Sequence, residues 1–122
     1  MFPGHWLQFV EGHKLLGRSA SVGEDADLST LGAEMKFLTA DQSSDELKNF
    51  WPGIGVAHDG FVPVASCLEG SGDYYYINSN DDPIGPLYRI CHDAVGLDGY
   101  DAQSAVERVF DHYDSILRYV EP

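Results

Sequence analysis

Two segments of strand-forming residues, 73–78 (DYYYIN) and 87–92 (LYRICH), stand on either side of a run, 79–86, made of Ser, Asn, Asp, Pro and Gly around a single Ile. Aromatic and β-branched side chains suit a pleated surface, and Asx, Pro and Gly residues set turns. The run is longer than a two-residue hairpin loop. The pair commits the chain to an antiparallel sheet. Within it, Tyr74 and Tyr76 share one face while Tyr75 and Ile77 share the other. One set belongs to the core. The other is either a surface of the kind binding sites favour or is covered by helices in its turn.

Around this pair the chain reads as short elements. Phe2, Trp6, Phe9 and Val10 fall on one helical face with Pro3 in the first turn, so residues 2–16 predict one helix that frays near Gly12. Residues 19–32 are polar, acidic and glycine-containing, and read as a loop. Met35 and Phe37 alternate with Glu34, Lys36 and Leu38 in a strand. Ser43 and Glu46 form a capping box for a helix carrying Leu47, Phe50 and Trp51, stopped by Pro52. Residues 52–60 read as a loop with a brief extended piece. Residues 61–68 read as a strand that Pro63 places at an edge or a bulge. Ser104 and Glu107 make a second capping box. Val106, Val109, Phe110, Tyr113, Ile116, Leu117 and Val120 then recur at helical spacing, which predicts a long C-terminal helix.

The expectation is α+β: one domain over residues 1–122, with a mostly antiparallel central sheet of about four or more strands flanked by helices and ending in that long helix. A chain of 122 residues, 43% hydrophobic and with fifteen aromatics, can bury one core. Its seven basic against twenty acidic residues give a net charge of −13. That balance disfavours direct binding of nucleic acid or anionic lipid and favours basic protein partners. No stretch approaches the ~18 apolar residues of a membrane span, and the N-terminus lacks a basic segment before an apolar run. With two cysteines and no disulfide framework, a cytoplasmic location is the expectation.

Catalytic and metal-binding patterns are weak. His5, His13, His58, Cys67, Cys91, His92 and His112 show no C-x-x-C or H-x-x-x-H spacing, so neither metal nor cofactor is expected. Asn78, Asn80 and Asp82 have the alternation of a calcium loop, but Pro83 replaces its glycine and Arg89 its closing glutamate. Cys91 and His92 are adjacent, and neighbours in a strand point to opposite faces, which denies the thiol its base. An enzyme is not expected. A small enzyme using Cys91 or the His92/Asp93 pair is the alternative.

Residues 61–93, FVPVASCLEGSGDYYYINSNDDPIGPLYRICHD, resemble the central block of the SUKH superfamily, which includes yeast cell-wall-assembly regulators and many bacterial immunity proteins. In that family a strand with a Pro-small-Ala element leads to Gly-Asp, an aromatic strand, a turn, a Gly-Pro-Val/Leu-Tyr strand, then His-Asp or His-Glu. Here these are residues 62–65, Gly72 and Asp73, residues 74–77, residues 85–90, and His92 with Asp93. The opening FPGHWLQF and the middle FWPGIGVAHDG are similar to other parts of the pattern, which reaches from Phe2 to Val120. Trp51, Pro63, Gly72, Asp73, Gly85, Tyr88 and His92 stand at its structural positions. The family carries a helix before the opening element, and here that helix is expected to be missing or trimmed.

The resemblance implies a non-catalytic acidic binding module, as in immunity proteins that neutralise a toxin by covering it. The charge suits a basic toxin such as a nuclease. A housekeeping scaffold domain of the cell-wall-regulator type is the alternative. The residues expected to face a partner are Glu69, Asp73, Tyr75, Asp81 and Asp82 around the paired strands, with Glu24, Asp25 and Asp27 from the acidic loop as a competing set.

Overall fold

In the computed structural model, which describes residues 2–121, six strands follow one another in chain order: β1 (Ser19–Val22), β2 (Ala33–Phe37), β3 (Phe61–Cys67), β4 (Tyr75–Asn78), β5 (Leu87–Ile90) and β6 (Val106–Phe110). Each pairs antiparallel with the next. The helices are short: α1 (Gly4–Gly12), α2 (Ala40–Asn49), α3 (Gly53–Val56) and α4 (Ala102–Ala105). The mixed α and β character agrees with the sequence.

The long C-terminal helix is not there. Its stretch holds α4, then β6, then a 3-10 turn at Tyr113–Arg118. The apparent helical stripe has a different origin. The β5–β6 ladder shifts register at Leu87/Tyr88, so Val109 and Phe110, adjacent in sequence, are both buried in one cluster. In the 3-10 turn that follows, Tyr113 and Ile116 share a face at the three-residue step of that helix. A bulged strand followed by a tight turn thus reproduces three- and four-residue spacing. Val106, Glu107, Arg108 and Phe110 then supply the backbone partners that β5 requires on its open edge, with Val109 as the extra residue at the shift.

The sheet curls. Side chains from every strand, among them Val22, Met35, Val64, Tyr75, Leu87 and Val109, meet in a single cluster with Trp6 and Val10 of α1. After the 3-10 turn the chain returns to the free edge of β1. Ala20 bridges Val120, the Ser21 N–H donates to the Tyr119 carbonyl, and the Glu121 N–H donates to the Ser19 carbonyl. Leu28 donates to Val109 at the other edge. The β1 edge is thereby covered and the β6 edge is met at Val109, which reduces the template for unwanted strand pairing. A second cluster on the opposite face joins Val56, Phe61, Tyr76, Ile90, Val95 and Ala105.

Several local readings need revision. The segment read as a loop at 19–32 contains β1, where Ala20 and Val22 point inward. The loop at 52–60 is α3 followed by a 3-10 turn. The cap of α2 lies four residues before Ser43: Thr39 caps the helix with Gln42 in a reciprocal box, and Ser43 instead donates its hydroxyl to the Pro63 carbonyl at 2.6 Å. Asp101 caps α4, leaving Glu107 in β6. Pro63 stands at a bulge, one of the two places its sequence allows: β3 is an interior strand, and its ladder with β4 shifts register between Pro63 and Ala65. α1 ends at Gly12 as its sequence predicts.

Candidate functional site: an acidic groove at the β4–β5 tip

The turn between β4 and β5 folds back on the end of β6 and leaves an open groove of about 830 Å³. Asp81, Asp82, Ile84, Arg108, Asp111 and His112 are among its walls. Two hydrogen bonds hold the tip to the chain beyond β6: the His112 Nδ1–H donates to the Ile84 carbonyl at 3.0 Å, and the Tyr113 N–H donates to the Gly85 carbonyl at 2.8 Å. Asn78 and Asn80 tie the start of the turn to the Asp59 carbonyl. Gly85 is required by proximity, since a Cβ there would lie 2.8 Å from the Asp81 Cβ and 3.0 Å from the Asp82 carbonyl oxygen.

Ile84 stands out. It adopts φ +61°, a left-handed conformation that is a genuine outlier for a β-branched residue. It is also 44% exposed. An apolar side chain is thus held in strained backbone at the mouth of an acidic groove, the kind of outlier that motivates a functional reading.

The electrostatics are uneven. The Tyr88 hydroxyl donates to Asp81 Oδ2 at 2.7 Å, which fixes that carboxylate and leaves its other oxygen free. Burial, then the bond to Asp81 and its charge, push the Tyr88 phenol up to about 12. Asp111 is paired with Arg108 at 3.0 Å. Asp82 is exposed and forms no ion pair among the described residues. The groove therefore carries net negative charge and unpaired acceptors beside an apolar contact. It can receive lysine or arginine side chains. It holds no Ser, Cys or Lys that would act as a nucleophile.

The expected partner-facing residues do not gather in one place. In an up-and-down sheet, alternate connections lie at opposite ends, so Glu24, Asp25 and Glu69 are at one end and Asp81 and Asp82 at the other. Glu24, Asp25 and Glu69 are exposed. Tyr75 is not on the surface. It is fully buried and its hydroxyl accepts from Arg89 Nη2 at 3.0 Å. Both faces of β4 are covered, with Tyr75 and Ile77 in one cluster and Tyr76 in the other. Asp27 is also buried, accepting from the Ser29 N–H and hydroxyl, both at 2.7 Å. Its neighbour Arg89 provides the opposite charge that makes such burial tolerable.

Asp73 spends its carboxylate on His92. Oδ1 accepts from the His92 backbone N–H at 3.0 Å and from Nδ1 at 2.5 Å, while Nε2 faces Asp93 at 3.2 Å. The bond to Asp73 raises the His92 pKa against some burial. With both ring nitrogens engaged by carboxylates, His92 has none to offer Cys91. Gly72, at φ +79°, passes 3.4 Å from the ring where a Cβ would sit. Trp51 covers Gly55 and stands 41% exposed.

Arg108, Asp111 and His112 are not legible as groove residues in the sequence, because the helical reading of 104–120 places them on a helix away from Ile84. The tip and the end of β6 become neighbours only once β5 and β6 pair. Among the described residues, no helix is long and apolar enough to cross a membrane, and no three His, Cys, Asp or Glu side chains converge as a metal site. Compared with models of known families, with curated proteins and with solved structures, the chain matches none of them.

Proposed function

We propose that this protein is a non-catalytic binding module of the SUKH type, an immunity protein that neutralises a basic bacterial toxin by direct association. The observation that carries this reading is the tip groove, in which Asp81, Asp82 and Asp111 outnumber Arg108 beside the exposed Ile84. A net charge of −13 extends that field over the molecule and speeds encounter with a basic partner. Engagement of both His92 nitrogens by carboxylates weighs against a cysteine–histidine enzyme.

Affinity capture from the native cell lysate, with the tagged full chain at low and at high salt, tests the reading. A single basic, toxin-like partner that is lost at high salt and lost on Asp81→Asn/Asp82→Asn is the expected result. Several weak partners, unchanged by salt or by that variant, would replace it with the scaffold reading.

A further inference from the structure

A second pocket, of about 330 Å³, opens between α2 and the sheet and shares no residue with the tip groove. Its walls include Asp45 and Glu46 of α2, Phe50 just beyond that helix, and Ser66 and Tyr74. Two carboxylates therefore face two aromatic rings. Phe50 is 49% exposed, an aromatic ring left half in water on the wall of the pocket.

The negative charge here is not compensated by the chain itself. Burial raises the Glu46 carboxyl above its usual range, Asp45 adds to the effect, and the Tyr74 hydroxyl only partly offsets it. Asp45 Oδ1 accepts from the Asn49 side chain at 2.7 Å, which leaves Oδ2 free. Two lysines are near in sequence or register. Lys48 lies on α2, and Lys36 pairs with Ser66 across β2–β3 and so leaves the sheet on the same face. Neither forms an ion pair among the described residues.

We propose that this pocket receives one arginine side chain of a partner protein, its guanidinium stacked against Phe50 and Tyr74 and donating to Asp45 and Glu46. Arginine suits it better than lysine. The planar guanidinium presents a face to an aromatic ring and a fork of donors to carboxylates, and it loses its hydration more readily than an ammonium. The site goes beyond the tip groove and does not depend on it. A partner engaging both would be anchored at two separate places on the molecule.

The test is an NMR titration of the isotope-labelled full chain with Nα-acetyl-arginine amide, alongside the lysine and norleucine amides. Saturable shifts at Glu46, Phe50 and Tyr74 with arginine, weaker with lysine and absent with norleucine, are expected. Glu46→Gln keeps the shape of the side chain and should weaken binding several-fold, as should Asp45→Asn, which serves if Glu46→Gln fails to fold. Asp81→Asn/Asp82→Asn should leave the titration unchanged, so loss of the tip-groove reading would not touch this one. Shifts that do not saturate, that are equal for lysine, that persist in both α2 variants, or that gather at residues 81–86 would overturn the proposal.

Discussion

Arg89 Nη2 stands 3.7 Å from the Asp27 carboxylate, and both side chains are withdrawn from water. The pair joins β5 to the loop between β1 and β2, and the same guanidinium donates to the Gly32 carbonyl, the Tyr75 hydroxyl and Ser29 Oγ. It also lies over the Tyr75 ring, 5.3 Å from its centroid. A segment that reads as an acidic loop is thereby folded inward, and its third carboxylate becomes part of the interior.

Removing one member of such a pair leaves a buried charge without its partner, which costs about 3–5 kcal/mol. Arg89→Leu and Asp27→Ala should each fall in that range in urea denaturation. Asp27→Asn should cost less because it keeps an acceptor for the Ser29 bonds. A loss below about 1 kcal/mol for both large changes, the range of an exposed pair, would show that the pair is solvated.

The Asp73–His92 bond makes stability depend on pH. The folded His92 pKa is raised above its ordinary value of 6.5. The pair's contribution is therefore complete below that ordinary value and is lost as pH rises through the raised folded value. The stability gap between wild type and His92→Gln should shrink as pH rises through the histidine range, about pH 5 to 8. A gap that is constant, or that widens, would show that the ring is neutral throughout and that the backbone bond to Asp73 alone matters.

Glu46 has the opposite consequence for its own charged form. Its folded pKa is raised by burial, so the ionised carboxylate opposes folding, and stability falls as pH rises through the interval between its unfolded and folded values. Glu46→Gln should raise the melting temperature at neutral pH and remove that part of the pH dependence. A lower melting temperature at neutral pH with an unchanged profile would refute this.

At the tip, Asp81→Asn should bring the Tyr88 phenol down from about 12 without reaching an ordinary tyrosine, because burial is the larger cause. Ultraviolet titration against a Tyr88→Phe control reads this directly. An unchanged titration would mean that the Asp81 carboxylate does not hold that hydroxyl.

Ile84 and Gly85 should respond in opposite directions. Asparagine tolerates the left-handed backbone at position 84, so Ile84→Asn should stabilise the fold by about 0.5–1 kcal/mol while weakening capture of the basic partner. Gly85→Ala places a methyl 2.8 Å from the Asp81 Cβ and should cost about 1–3 kcal/mol, as overpacking does. Thermal melts with paired capture assays separate the two effects. A stabilised Ile84→Asn that binds undiminished would remove the apolar contact from the proposed interface.

The elements whose physics is local are legible in the residues alone. Alternation placed Met35 and Phe37 inward in β2, Pro3 and Gly12 bounded α1, and the Asx-Pro-Gly run turned the chain between β4 and β5. Thr39 and Gln42 carried the signature of the real α2 cap, three residues apart like Ser43 and Glu46. Nothing local distinguishes the two boxes. Ser43 is claimed by the Pro63 carbonyl, a partner twenty residues away.

The remaining features depend on contacts between distant parts of the chain. Whether residues 106–110 coil or extend depends on the unpaired edge of β5, because helical spacing and a bulged strand followed by a 3-10 turn bury the same side chains. Whether Asp27 and Tyr75 face water depends on Arg89, which lies 62 and 14 residues further along the chain. The tip groove exists because pairing of β5 with β6 brings Asp111 and His112 beside Asp81 and Ile84. Local propensity is a property of neighbours in sequence; backbone pairing at a sheet edge and compensation of a buried charge are settled by neighbours in space.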